Sequence, residues 1–263
     1  MRVPAPAKIN LHLEVLGRRN DGFHALETVF QTLALGDDLC VELTPGPPAI
    51  RLRCSDPTIP ADATNLAWRA AVAILERRPT AGKIAISLTK NIPHGAGLGG
   101  GSSDAASVLL ALNAQLPEPL SIKILAAIAL ELGSDVPFFL MGGTAHATGR
   151  GEELTALPAL PATPVTVLMP QARLATPSVF NALTAAERGP RMARGALWAT
   201  HQNAASLLHN RLTAAATRLC PPVADLLAFL KERGVPHLMS GSGAACFALA
   251  HIDRRLEYAP GTP

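Results

Sequence analysis

The residues with the most legible chemistry lie in the run Asn91-Ile92-Pro93-His94-Gly95-Ala96-Gly97-Leu98-Gly99-Gly100-Gly101-Ser102-Ser103-Asp104. Five glycines fall within the seven residues from Gly95 to Gly101. Glycine lets the main chain approach a ligand closely and adopt positive φ. A helical pattern starts directly after the run. Its first amides would gather at a helix N-terminus, where the dipole and unpaired N–H groups favour phosphate. Ser102 and Ser103 add hydroxyls that can reach phosphate oxygens or a magnesium ion. The competing reading is a flexible linker, but linkers do not sit between an alternating strand pattern and an amphipathic helix.

Spacing narrows the kind of phosphate loop. No Gly-Lys-Ser or Gly-Lys-Thr triplet occurs, which excludes a P-loop. Gly95-x-Gly97-x-x-Gly100 matches the dinucleotide fingerprint in letters. The preceding strand, however, ends near Leu88. The region about 20 residues on, where an acidic residue should close a strand, is Pro117-Glu118-Pro119 and then a helix. A protein-kinase glycine loop joins two strands, whereas this one opens a helix.

The elements that must position the loop follow from apolar periodicity. Residues 5–16 alternate as a strand, with Ile9, Leu11, Leu13 and Val15 against Asn10, His12 and Glu14. Arg18-Arg19-Asn20-Asp21-Gly22 reads as a turn. Strands are expected over 24–35, 38–43, 50–54 and 83–88, and helices over 62–78, 102–113 and 121–132, the last closed by Gly133 as a C-cap. Two further strands are expected over 136–141 and 143–148. Pro158, Pro161 and Pro164 read as a linker. Beyond it come a strand over 165–169, helices near 177–188, 203–219 and 222–232, a strand over 244–250 and a frayed end over 259–263. The fold class is α+β, in two domains over 1–157 and 158–263.

Composition sets the background. The chain has 263 residues, 48% hydrophobic and 16% charged, which suits a folded chain with a sizeable core. Its net charge is +3 and its basic residues come singly or in pairs, so no nucleic-acid footprint is expected. Cys40, Cys54, Cys220 and Cys246 lie far apart with no CxxC, which argues against a metal cage or disulfide framework. The start of the chain lacks an apolar stretch, and no run is long enough to span a bilayer. The expected setting is the cytoplasm, with no membrane partner.

Pro93-x-x-x-Gly97-Leu98-Gly99-Gly100-Gly101-Ser102-Ser103-Asp104 resembles the ATP loop of the GHMP kinases (galactokinase, homoserine kinase, mevalonate kinase and phosphomevalonate kinase). Pro6-Ala7-Lys8-Ile9-Asn10-Leu11 resembles the first motif of that family and Ser240-Gly241-Ser242-Gly243-Ala244 its third. The resemblance implies an N-terminal domain like domain 2 of ribosomal protein S5, a ferredoxin-like C-terminal domain and an active site in the cleft between them. It implies ATP and Mg2+, with ATP held by Asn65, Pro93, His94, Gly95, Ala96, Gly97, Leu98, Gly99, Gly100, Gly101, Ser102 and Ser103. Ser103 is also the metal candidate. Asp135 is the implied general base and Lys8 the cation beside it. From its residues alone Asp135 could equally be a capping or turn aspartate on a loop entering a strand, and Lys8 a solvated strand lysine.

Finer matches point to one branch of the family. Gly17-Arg18-Arg19-Asn20-Asp21-Gly22-Phe23-His24, Leu132-Gly133-Ser134-Asp135-Val136-Pro137-Phe138 and Gly149-Arg150-Gly151-Glu152 are similar to kinases that phosphorylate the 2-hydroxyl of a cytidine diphosphate alcohol in the non-mevalonate route to isoprenoid precursors. The implied substrate-binding residues are Asn10, Phe23, His24, Thr176, Phe180, Gly241 and Ser242. Phe23 and Phe180 would stack on cytosine, and Phe23 departs from the tyrosine common at its position. By residue type alone His24 is also an ordinary turn histidine and Phe180 a core phenylalanine. The stretch after Ala250 is shorter than in the family, so the second domain is expected to lack an edge element. The expected state is a monomer or homodimer. Alternatives are another GHMP kinase of homoserine or mevalonate type, a nucleotide-binding relative without catalysis, and a dinucleotide-dependent oxidoreductase.

Overall fold

The computed structural model describes residues 1–80, 82–190 and 203–252. Two long strands open the chain, β1 (Arg2–Arg18) and β2 (His24–Thr44). The turn between them is tied by Asp21, whose carboxylate accepts from Arg19 Nε and from the Phe23 amide. The other strands are β3 (Ala49–Cys54), β4 (Lys83–Thr89), β5 (Thr144–Thr148), β6 (Glu153–Leu157), β7 (Thr166–Leu168), β8 (His209–Asn210), β9 (His237–Met239) and β10 (Cys246–Ala248). Among the described residues the helices are α1 (Leu66–Arg77), α2 (Gly100–Gln115), α3 (Ile122–Leu132), α4 (Val136–Met141), α5 (Thr176–Asn181), α6 (Thr213–Leu219) and α7 (Pro221–Glu232). None of them is long and apolar enough to cross a membrane.

Two compact units form, one from residues 1–8, 32–94 and 99–142, the other from 9–31, 95–98 and 143 onward. In the first unit the far half of β2 pairs antiparallel with β4, and β4 pairs parallel with β3. Helix α2 is buried from Ser103 through Leu109 and packs against α1 and α4. Asn65 caps α1 by accepting from the Ala67 amide, and Ser121 caps α3 by accepting from Ile124, which satisfies amides that a helix start leaves open.

In the second unit the near half of β2 pairs with β5, β5 with β6, and β1 runs parallel to β8 in the register His12↔His209. Strands β7, β10 and β9 form an antiparallel sheet in that order. Leu13 and Val15 of β1 share a core with Leu212, Ala215, Val223, Leu226 and Cys246. Pro221 starts α7, where proline's missing N–H costs nothing.

Several expected elements take a different form. The strands expected over 24–35 and 38–43 are one continuous strand. Residues 136–141 form α4 instead of a strand. Pro137 sits in its first turn, where the fixed φ suits a helix, and a short apolar run carries no periodicity to tell the two apart. Gly133 does close α3 as its C-cap, its amide donating to the Ala129 carbonyl, but in extended backbone (φ 170°) and not the left-handed form. The helix expected over 203–219 breaks into a 3-10 turn, β8 and α6. Asn210 explains the break, since its Oδ1 accepts from the Leu212 amide. Strands β6 and β9 were not foreseen. Residues 158–165 carry no regular structure, and the end expected to fray lies outside the described residues.

Candidate active site

One face of β1 carries Lys8, Asn10, His12 and Glu14, and all four are buried. Polar residues that are buried on alternate strand positions need partners. For Lys8 that partner is Asp135, whose Oδ2 lies 3.5 Å from the Lys8 Nζ. Asp135 directly precedes α4, yet its side chain makes no capping bond to that helix. The capping alternative is thereby excluded. The expected loop entering a strand is a turn entering a helix. The lysine side chain is 5% exposed and the aspartate side chain 35%, so the pair reaches solvent on the carboxylate side.

The glycine loop ends against this pair. A Cβ on Gly99 would lie 2.7 Å from the Phe139 ring and 3.1 Å from Lys8 Cγ. Gly99 also has φ +73°, so glycine is required there on both counts. Gly95, Gly97 and Gly99 all have positive φ, and no non-glycine does among the described residues. Alternating signs of φ along Gly95-Ala96-Gly97-Leu98-Gly99 turn successive N–H groups toward a common side, the arrangement that forms anion-binding concavities. Helix α2 follows with no side-chain cap on its first amides. Ser103 Oγ is buried in that turn with no hydrogen-bond partner among the described residues.

On the other side of the loop, Ser240 Oγ donates to the Gly97 carbonyl at 3.1 Å and the Ala245 amide to the Ala96 carbonyl at 3.2 Å. A Cβ on Gly97 would meet Ser240 O at 2.4 Å. The second and third glycine motifs are therefore packed main chain to main chain. Asn210 holds the third motif by donating from Nδ2 to the Met239 and Gly241 carbonyls, both at 2.8 Å. Nothing in the sequence around Asn210 marked it.

The entry to the loop is tied by a buried triad that the sequence did not reveal. Lys90 Nζ bonds to Asp37 and, at 2.7 Å, to Asp104. Asp37 Oδ1 also accepts from the Asn91 and Ile92 amides. One cation serves two buried carboxylates. Burial pushes the Asp104 carboxyl up to about 7, with Lys90 opposing and Asp37 adding to the rise. A carboxyl whose folded pKa is raised stabilises the fold below its unfolded pKa and loses that contribution as pH climbs to the folded value. Thermal midpoints should therefore fall between about pH 4 and pH 7. Asp104→Asn should flatten that fall. Equal slopes for both proteins would show that Asp104 does not titrate there.

The residues expected to hold cytosine divide into two pairs. The His24 ring stacks on Phe180 with centroids 5.1 Å apart and planes 27° from parallel. Burial lowers the His24 pKa, and Arg188 and Arg18 lower it further, which favours the neutral ring. Phe23 is 47% exposed and lies instead under the Arg150 guanidinium, 4.6 Å from its centroid. Thr176 Oγ1 and Ser242 Oγ share a hydrogen bond of 2.8 Å, and Gly241 has φ +56°. Asn10 Nδ2 donates to Thr28 Oγ1. Pro93 and His94 lie exposed. The Asn65 amide holds the start of α1, with Oδ1 on Ala67 N and Nδ2 on Pro60 O.

Family models for the GHMP kinases N terminal domain and the GHMP kinases C terminal match residues 65–143 and 193–258. The 4-diphosphocytidyl-2-C-methyl-D-erythritol kinase of Polaromonas sp. strain JS666 is 42% identical over 99% of this chain and 87% of its own length. The chain belongs to the 4-diphosphocytidyl-2-C-methyl-D-erythritol kinases, within the GHMP kinases. The kinase of that name from Thermus thermophilus is 44% identical over 94% of this chain and 86% of its own. A crystal structure of 4-(cytidine 5'-diphospho)-2C-methyl-D-erythritol kinase superimposes with a TM-score of 0.82 at 42% identity, covering 95% of this chain and 90% of that one. A GHMP kinase fold of α+β class with N- and C-terminal domains follows, and membership implies ATP as phosphoryl donor.

Proposed function

We propose that this chain transfers the γ-phosphate of ATP to the 2-hydroxyl of 4-diphosphocytidyl-2-C-methyl-D-erythritol, in the non-mevalonate supply of isoprenoid precursors. The observation that carries the reading at residue level is the Lys8–Asp135 pair closed against Gly99. Phosphoryl transfer needs an oriented hydroxyl and compensation of phosphate charge more than covalent help from the protein. Asp135 orients the substrate hydroxyl and accepts its proton. Lys8, beside Asp135, stabilises charge on the transferring group. The amides from Gly95 to Ser102 hold the phosphates, and His24, Phe180, Phe23, Thr176 and Ser242 hold the cytidine end.

A magnesium ion would supply charge neutralisation across the phosphates. No three His, Cys, Asp or Glu side chains converge as metal ligands among the described residues. That fits an ion which keeps its waters and takes substrate phosphates as ligands. Ser103 Oγ, a buried hydroxyl with unfilled bonding, is the protein atom we assign to it.

Measuring ADP release with a panel of alcohols tests the reading. Turnover should require the cytidine diphosphate substrate and be at least about 100-fold slower with mevalonate or homoserine, because a site built for polar groups rejects compounds that lack them. Turnover of mevalonate or homoserine with none of the cytidylyl substrate would overturn it.

A further inference from the structure

Gly149-Arg150-Gly151-Glu152 forms the turn between β5 and β6. Glu152 organises that turn. Its Oε2 accepts from the Arg150 amide at 2.5 Å, and its Oε1 lies 4.0 Å from Arg150 Nε. Gly149 leaves room for the carboxylate, since a Cβ there would lie 2.5 Å from Glu152 Oε2. Gly149 also has φ +73°, which few other residues adopt. The turn is fastened to β2, where the Leu26 amide donates to the Gly149 carbonyl at 2.7 Å. Leu26 follows Phe23 by three residues. These bonds bring the Arg150 guanidinium over the Phe23 ring, 4.6 Å from its centroid.

From this geometry we infer that Arg150 is a positioning residue for the cytidine end: its guanidinium holds the Phe23 ring and leaves the ring's exposed surface for a base to stack on. The inference rests on the proposed role of Phe23 as a stacking contact and says what fixes that ring. Phenylalanine has no hydroxyl to anchor it, so contacts to the ring must set its angle. A cation over the ring face is drawn to the negative side of the ring quadrupole. Phe23 is 47% exposed with Arg150 in place, so ring surface is open to a ligand. A loose side chain loses rotamer freedom when a base stacks on it, and one already held loses less. That cost belongs to substrate binding and not to phosphoryl transfer.

The methionine variant keeps an unbranched apolar stem while removing the cation. Arg150→Met should raise KM for the cytidylyl substrate about 5-fold, the effect of one partly exposed cation–ring contact. Neither kcat nor KM for ATP should change. Arg150→Lys should return KM to within about 2-fold of wild type, because an ammonium also sits over a ring. In a Phe23→Leu background, where the ring is gone, Arg150→Met should raise KM no further. Thermal midpoints measured alongside separate a folding defect from a misplaced ring. The lysine variant keeps the test open should the methionine protein fold poorly. Two results would overturn the inference. One is an unchanged or lowered KM for Arg150→Met beside a raised KM for Phe23→Leu, a lowered value meaning that Arg150 competes with the base. The other is an equal rise from Arg150→Met with and without the Phe23 ring. If Phe23→Leu itself had the wild-type KM, the proposed stacking contact of Phe23 would fall, and the role given to Arg150 with it.

Discussion

Asp135→Asn is expected to lower kcat by about 10²–10⁴-fold, the range associated with losing a positioned acid–base group. Asparagine keeps the size and planarity of the side chain, so ATP should bind as before. The basicity is lost, and so is the charge 3.5 Å from Lys8 Nζ. Because the carboxylate is partly exposed, the lost ion pair should cost only about 1 kcal/mol, or 2–4 °C in thermal midpoint. Rate and stability are therefore separable in this variant. Lys8→Met should also impair kcat. The double variant should be little slower than the worse single one, as groups acting as a unit are far from additive. Single-turnover measurements at saturating ATP read the chemical step directly. An Asp135→Asn enzyme that turned over at the wild-type rate would remove the catalytic assignment.

Lys90→Met carries the largest expected stability loss, about 3–5 kcal/mol, because it leaves two buried carboxylates without their shared cation. The side chains of Lys90, Asp37 and Asp104 are 7%, 0% and 4% exposed. Methionine replaces the aliphatic stem, so the loss reports on charge more than on packing. Adding Asp104→Asn should recover part of it, since the neutral amide no longer needs a cation. Asp37 also receives the Asn91 and Ile92 amides at the start of the glycine loop. The single variant should therefore raise KM for ATP as well. Urea unfolding gives the energy and initial rates give the KM. A loss below about 1 kcal/mol would show that the triad is solvated in solution and does not hold the loop.

The glycine loop was legible because its signal is local: many glycines in few residues, with a helix behind them. The Lys8–Asp135 pair could be anticipated only through resemblance, since the residues lie on distant segments and neither type is diagnostic by itself. The buried triad and Asn210 could not be read at all. Their roles come from partners that tertiary packing alone brings within reach, and Lys90 in isolation reads as an ordinary surface residue. The α4 segment was misread as a strand because six apolar residues fit either period. Phe180 found His24 as its ring partner, while Phe23 found Arg150, a distinction that depends on how the turn before β2 aims two adjacent side chains.

The pairing of β1 with β8 governs how the chain is made. Glu14 and His209, which bond across that pairing, are 195 residues apart. On the ribosome the first strand waits roughly 10–40 s for its neighbour to be synthesised. Until then one edge of β1 is an open hydrogen-bonding ladder, the kind of surface that recruits other strands. Nascent chains halted before residue 209 should consequently be clients of chaperones, whereas chains released after residue 252 should not.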